Sequence, residues 1–113
     1  KLKKIDSNKF YTLKKNIKNK KSAYHIFPVV FQNLKIRKNF INYMKKNNVE
    51  CYFHYYPLHL SSFGKKISNL KLKVTEMVYD GLVRLPLYPE LNKKEQDVII
   101  KLFKSFINKF KNI

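Results

Sequence analysis

The stretch Asn92-Lys93-Lys94-Glu95-Gln96-Asp97-Val98-Ile99-Ile100-Lys101-Leu102-Phe103-Lys104-Ser105-Phe106-Ile107-Asn108-Lys109-Phe110 carries the most decisive pattern in the chain. Val98, Ile99, Leu102, Phe103, Phe106, Ile107 and Phe110 recur every three to four residues, the spacing that stacks side chains on one side of an α-helix. Asn92 stands where a helix cap belongs, and Glu95, three residues on, can close a capping box with it. So broad an apolar face must be covered, and the composition upstream supplies the strands of a sheet to cover it.

Leu82-Val83-Arg84-Leu85 reads as a short strand stopped by Pro86 and Pro89. Tyr24 to Phe31 is β-branched and aromatic, and Pro28, which lacks a ladder donor, predicts an edge strand or a bulge there. Val49 to His54 alternates, with Val49, Cys51 and Phe53 on one face and Glu50, Tyr52 and His54 on the other. Between these, Arg37 to Asn47 places Phe40, Ile41 and Met44 at helical spacing with a stop at Asn47-Asn48, and Val74 to Asp80 is a second short helix ended by Gly81. No element is predicted across Gly64 and the basic stretch Lys65 to Lys73. The expected fold is α/β (α+β): a small, mostly antiparallel sheet with helices on one face, formed by residues 22–113. Residues 1–21 read as a solvated connector in which Phe10, Tyr11, Leu13 and Ile17 are the best candidates for a helical stripe.

The chain has 113 residues and a formal charge of +18. That charge suggests nucleic acid or an anionic surface, but 23 of the 25 basic residues are Lys and only Arg37 and Arg84 are Arg. Phosphate and guanine recognition favours the planar fork of Arg. Lys, Asn, Ile, Phe and Tyr together make 62 of the 113 residues; these have A/T-rich codons, so base composition accounts for much of the lysine. A basic nucleic-acid-binding module using surface Lys and aromatics is the alternative reading, and weak, nonspecific, salt-sensitive binding is the expectation. No apolar run approaches the roughly 20 residues of a membrane span, and nothing in Lys1 to Lys21 resembles a signal peptide. Cys51 is the only cysteine, which rules out an intrachain disulfide and favours an intracellular, cytoplasmic setting. Its spacing to His54 is not a metal motif, since residues three apart in a strand face opposite ways; Cys51 reads as a small buried hydrophobe.

One segment clusters polar functional groups under conformational constraint: His54-Tyr55-Tyr56-Pro57-Leu58-His59. Two imidazoles and two phenols on a proline-stiffened loop can offer hydrogen bonds and stacking faces to a ligand. A surface loop with an aromatic anchor in the core is the competing reading of the same residues. Gly64 and Gly81 are the only glycines, so no phosphate-cradling glycine-rich loop exists.

In order and wording these features resemble the carboxy-terminal small domain of the DegT/StrS-type nucleotide-sugar aminotransferases, pyridoxal-phosphate enzymes of fold type I. Ser22-Ala23-Tyr24-His25-Ile26-Phe27 resembles the strand that opens that domain, and Phe40 to Val49 its helix and turn. His54 to His59 is similar to the family's His-Tyr-x-Pro-Leu-His loop, and Leu82 to Leu91 to the Leu-Pro-Leu-x-x-x-Leu segment before the final helix. The loop and the Arg-Leu-Pro-Leu wording are most similar to transaminases that make dTDP-4-amino-4,6-dideoxygalactose. Two departures are visible: Pro28 interrupts the opening strand, and Ser62-Phe63-Gly64 stands where relatives tend to have Ser-Pro-x-Gly. The resemblance implies a homodimeric parent whose large domain holds pyridoxal phosphate and which moves an amino group from glutamate to a 4-keto-6-deoxy sugar nucleotide. It assigns His54, Tyr55 and His59 to binding of the nucleotide-sugar substrate and assigns no catalytic or cofactor residue to this chain, which by itself is expected to bind no cofactor and to be inactive.

Overall fold

The computed structural model describes residues 10–12 and 23–109. In chain order they form β1 (Phe10–Thr12), β2 (Phe27–Phe31), α1 (Leu34–Lys46), a 3-10 turn at Leu58–Leu60, α2 (Ser62–Ile67), α3 (Lys73–Gly81), β3 (Leu82–Leu85) and α4 (Lys93–Lys109). The strands make one antiparallel sheet in the order β1-β2-β3. The α+β architecture read from the sequence is the one observed.

The start of α4 follows its sequence closely. Glu95 N–H donates to Asn92 Oδ1 at 3.0 Å while Asn92 N–H donates to Glu95 Oε2 at 2.9 Å, the reciprocal capping box. Ile99, Phe103, Phe106 and Ile107 are buried. Val98, placed on the same face by its spacing, is instead 50% exposed: it sits about 100° around the helix from Ile99, beyond the sector that α1 and the sheet cover. Phe110 lies outside the described residues.

The core is a phenylalanine cluster. The Phe40 ring lies 4.8 Å from Phe31, 5.4 Å from Phe103 and 5.1 Å from Phe106, the last two edge to face, an arrangement that adds aromatic quadrupole attraction to simple burial. Helix α1 presents Phe40 and Met44 to it, and is closed at both ends by asparagine. Asn33 Oδ1 accepts from Ile36 N–H. At the other end Asn48 takes the left-handed conformation, φ 59°, while Asn48 and Val49 N–H donate to Lys45 and Met44 carbonyls, a complete Schellman turn.

Strand alternation divides the sheet into two sides. Val29, Phe31, Val83 and Leu85 belong to the phenylalanine core. Their neighbours Val30, Leu82 and Arg84 point the other way, and it is on that side that the candidate site is built.

Four expectations are corrected. Phe10 is not part of a helical stripe: Phe10–Thr12 pairs with Phe31 to Val29, and the Phe10 ring packs edge-on at 4.8 Å from Phe103, because a lone aromatic beside an open strand gains more by completing the core than by a half-polar helix. Leu13 and Ile17 lie outside the described residues. Pro28 sits in the middle strand rather than on an edge or a bulge. It is tolerated because the opposing Arg84 turns both its N–H and its carbonyl toward Tyr52, so β3 asks no hydrogen bond of Pro28. Val49–His54 is not a full strand; it touches the sheet only through the Tyr52–Arg84 bridge, and its alternation ends at Phe53, which is exposed. The stretch after His59 holds an unexpected helix, α2, whose cap is Ser61: its Oγ accepts from Gly64 N–H at 2.9 Å.

Helix α3 passes into β3 with no intervening loop, and Gly81 is the joint. A Cβ there would lie 2.0 Å from the carbonyl oxygen of Phe31. Gly81→Ala is therefore expected to destabilise the chain by about 2 kcal/mol or more, read as a lowered urea midpoint. Phe103→Asp places a charge against three buried rings, Phe10, Phe31 and Phe40, and is expected to abolish cooperative melting in calorimetry, a loss above about 4 kcal/mol.

Candidate functional site

The segment from Tyr52 to Leu60 has little regular structure, and its shape comes from what it is tied to. On one side is β3: Tyr52 and Arg84 exchange backbone hydrogen bonds at 3.3 and 2.6 Å, and Arg84 Nη1 stands 2.7 Å from His54 Nδ1. On the other is α3. The Tyr79 ring is met edge-on by Phe53 at 5.9 Å and by Tyr56 at 5.5 Å, and His59 Nε2 lies 3.0 Å from Glu76 Oε1. Pro57 is buried between. Tyr56 OH closes the turn by donating to the Leu60 carbonyl at 3.1 Å. Gly64 lets α2 come back underneath, because a Cβ there would lie 1.9 Å from the Leu58 carbonyl oxygen.

Tyr79 is fixed from behind by Arg37. This arginine is 3% exposed, stacks its guanidinium 4.5 Å from the Phe53 ring and 4.9 Å from the Tyr79 ring, and donates from Nη1 to the Tyr79 carbonyl at 2.6 Å. That carbonyl is in the last turn of α3, where helix oxygens lack intrahelical partners and the macrodipole is negative. The buried charge therefore has cation–π faces and a helix end to compensate it.

Between the loop and α3 is an open groove of about 350 Å³ lined by His54, Tyr55, Pro57, Val74, Thr75, Val78, Tyr79 and Leu82. Its polar groups are one imidazole, two phenols and one hydroxyl, set in an apolar wall, the composition of a binding surface for a hydrogen-bonding ligand. Of the three residues singled out in the sequence, His54 and Tyr55 share this groove, and Tyr55 is 78% exposed. His59 does not join them: its side chain is turned to Glu76, and the two imidazoles end on different elements. The hydrogen bond from His59, helped by Leu72 N–H and by Lys71, holds the Glu76 carboxyl below its usual range. Glu76 also accepts from Leu72 N–H at 3.1 Å and so closes the start of α3.

Tyr79, Glu76 and Arg84 were not among the sequence candidates. Only Arg84 left a signal there, as one of two arginines among 25 basic residues and as the polar residue alternating with Val83 and Leu85. Cys51 is buried as expected, and burial pushes its thiol up to about 12, which removes it as a nucleophile. Among the described residues no cluster of His, Cys, Asp and Glu could hold a metal ion, and no helix is long and apolar enough to cross a membrane.

Comparison with known proteins agrees with this architecture. An uncharacterized protein of Methanocaldococcus jannaschii is 31% identical over 103 residues, 86% of this chain and 26% of its own length. The aminotransferase TlmJ of Streptoalloteichus hindustanus superimposes with a TM-score of 0.84 at 18% identity, over 96% of this chain and 28% of that one. Spr1654 of Streptococcus pneumoniae, assigned as a sugar aminotransferase and solved in its PLP form, gives 0.77 at 22% identity, over 91% and 27%. The two structures show the shared fold, and this chain spans about a quarter of the length of each relative. The model of the DegT/DnrJ/EryC1/StrS aminotransferase family matches residues 1–104, and the chain belongs to that family.

Proposed function

We propose that this chain is the carboxy-terminal small domain of a pyridoxal-phosphate-dependent sugar-nucleotide aminotransferase, in which residues 22–113 form the body of the domain and residues 1–21 lead from a large domain while lending β1 to the sheet. The parent enzyme moves an amino group from glutamate to a 4-keto-6-deoxy sugar nucleotide, and the wording of the loop favours the chemistry that yields dTDP-4-amino-4,6-dideoxygalactose. It acts as a cytoplasmic homodimer. The observation that carries the reading is the loop from His54 to His59, tied down at both ends so that His54 and Tyr55 stand in an open groove. A sugar nucleotide is rich in oxygen acceptors and has planar and apolar faces, which suit an imidazole, phenols and an aliphatic wall.

The groove does not fit pyridoxal phosphate. Its lining contains neither a lysine to carry the cofactor nor a carboxylate to face the pyridine nitrogen. This chain's share of the work is accordingly substrate binding. His54 and Tyr55 contact the sugar nucleotide, and His59 shapes the same surface by holding the loop to α3. No proton transfer is assigned to any of the three. The lysine surplus adds a nonspecific attraction for polyanions that fades with salt, and it helps draw a doubly charged diphosphate toward the cleft.

Two measurements test the reading. Pyridoxal phosphate followed by borohydride reduction of this chain alone is expected to label lysines sparsely and without preference; one stoichiometric, site-specific adduct would move the cofactor site into this chain. In an enzyme that includes the large domain, His54→Ala is expected to raise the Michaelis constant for the sugar nucleotide about tenfold, the loss of one hydrogen bond to a charged group, with cofactor absorbance unchanged. Unaltered sugar-nucleotide kinetics would remove the loop from the substrate site.

A further inference from the structure

The contact between Arg84 and His54 has a chemical direction. A guanidinium carries five N–H donors and has no acceptor, so across the 2.7 Å from Arg84 Nη1 it is His54 Nδ1 that accepts. The proton of the neutral ring is then on Nε2, because the hydrogen bond at one ring nitrogen decides the tautomer at the other. Arg84 is well placed to enforce this. Its backbone is bonded on one side to Tyr52 and its strand is paired on the other with β2. Strand alternation also aims its side chain to the same side of the sheet as Leu82, which lines the groove. Among the described residues, His54 Nε2 has no hydrogen-bond partner.

We propose that Arg84 is a positioning residue that locks His54 as the Nε2–H tautomer, so that the imidazole offers the groove a donor and selects an oxygen acceptor in its ligand. The proposal rests on the reading that the groove faces the substrate, and it narrows that reading: the matching group is a phosphate, carbonyl or hydroxyl oxygen with a free lone pair. Ligand N–H groups meet no acceptor at His54. The choice of arginine also follows. In a chain whose basic residues are almost all lysine, a planar donor on a rigid fork holds one geometry where a flexible ammonium would sample several.

The test is direct, because the sequence has three histidines, His25, His54 and His59. In the full chain labelled with 15N, long-range nitrogen–proton correlations recorded well above the ordinary imidazole range are expected to show His54 as one pure Nε2–H tautomer. Arg84→Met is expected to turn it into a mixture while the signals of His25 and His59 stay in place. A mixed or Nδ1–H ring in the unsubstituted chain overturns the proposal, as does a ring that ignores Arg84→Met. Should that variant fail to fold, the unsubstituted spectrum decides alone. Thymidine diphosphate then serves as the probe of the groove. It is expected to shift His54 Nε2, to bind about tenfold more weakly to His54→Asn, and to keep its affinity for His54→Gln, whose amide nitrogen replaces Nε2. A pure tautomer with no response to thymidine diphosphate overturns the substrate-facing reading and the donor role with it. An unlocked ring that still responds overturns the role of Arg84 and leaves that reading standing.

Discussion

The backbone contact at Gly81 sets the geometry on which the site depends. Where α3 ends and β3 begins, the chain passes so close to the Phe31 carbonyl that no side chain fits. Because helix and strand join without a loop, the angle between α3 and the sheet has little freedom. Everything that shapes the groove hangs from this joint: Glu76 and Tyr79 on the helix before it, Leu82 and Arg84 on the strand after it. The loop from Tyr52 to Leu60 then spans from strand to helix and takes its form from both, so a segment with almost no repeating structure is still held at several defined points.

The sheet also separates two chemistries. On one side are Phe31, Phe40, Phe103 and Phe106, close-packed and free of polar groups, and that side supplies the stability. On the other are Arg84, His54, Tyr55 and Tyr79, with Arg37 reaching Tyr79 from α1. Burial of Arg37 is tolerable because two aromatic faces and a helix-end carbonyl surround it, and its effect is to brace Tyr79 against the groove. In the proposed binding role, such support means that Tyr79 and His54 lose little entropy when a ligand arrives, since both are already held.

Much of this was legible from the residues alone. The capping pair Asn92 and Glu95, the Asn47-Asn48 stop, the Gly81 stop and the strand Leu82 to Leu85 each carry a local signal, because the physics that places them acts within a few residues. What was missed depends on distant partners. Pro28 reads as an edge residue until the backbone direction of Arg84 is known. Phe10 in isolation has no reason to be a strand. Helix α2 is short and lysine-bearing, and Ser61 alone is a weak cap signal. For the site, the sequence singled out a loop that borders the groove, with both imidazoles assigned to one ligand, but only His54 lines it. The pairing of His59 with Glu76 and of His54 with Arg84 spans 17 and 30 residues, and no local pattern encodes a match of that range.

The central claim is that the fold itself holds the His54 loop in place before any ligand binds. Amide hydrogen exchange of the free chain measures this most directly at Tyr52 and Arg84, whose N–H groups bond across the bridge between loop and sheet. The account predicts protection at both positions approaching that of the β2–β3 amides, lost only with global unfolding. Free exchange at Tyr52 and Arg84 beside a protected phenylalanine core would show a loop that the fold does not hold, and would contradict it.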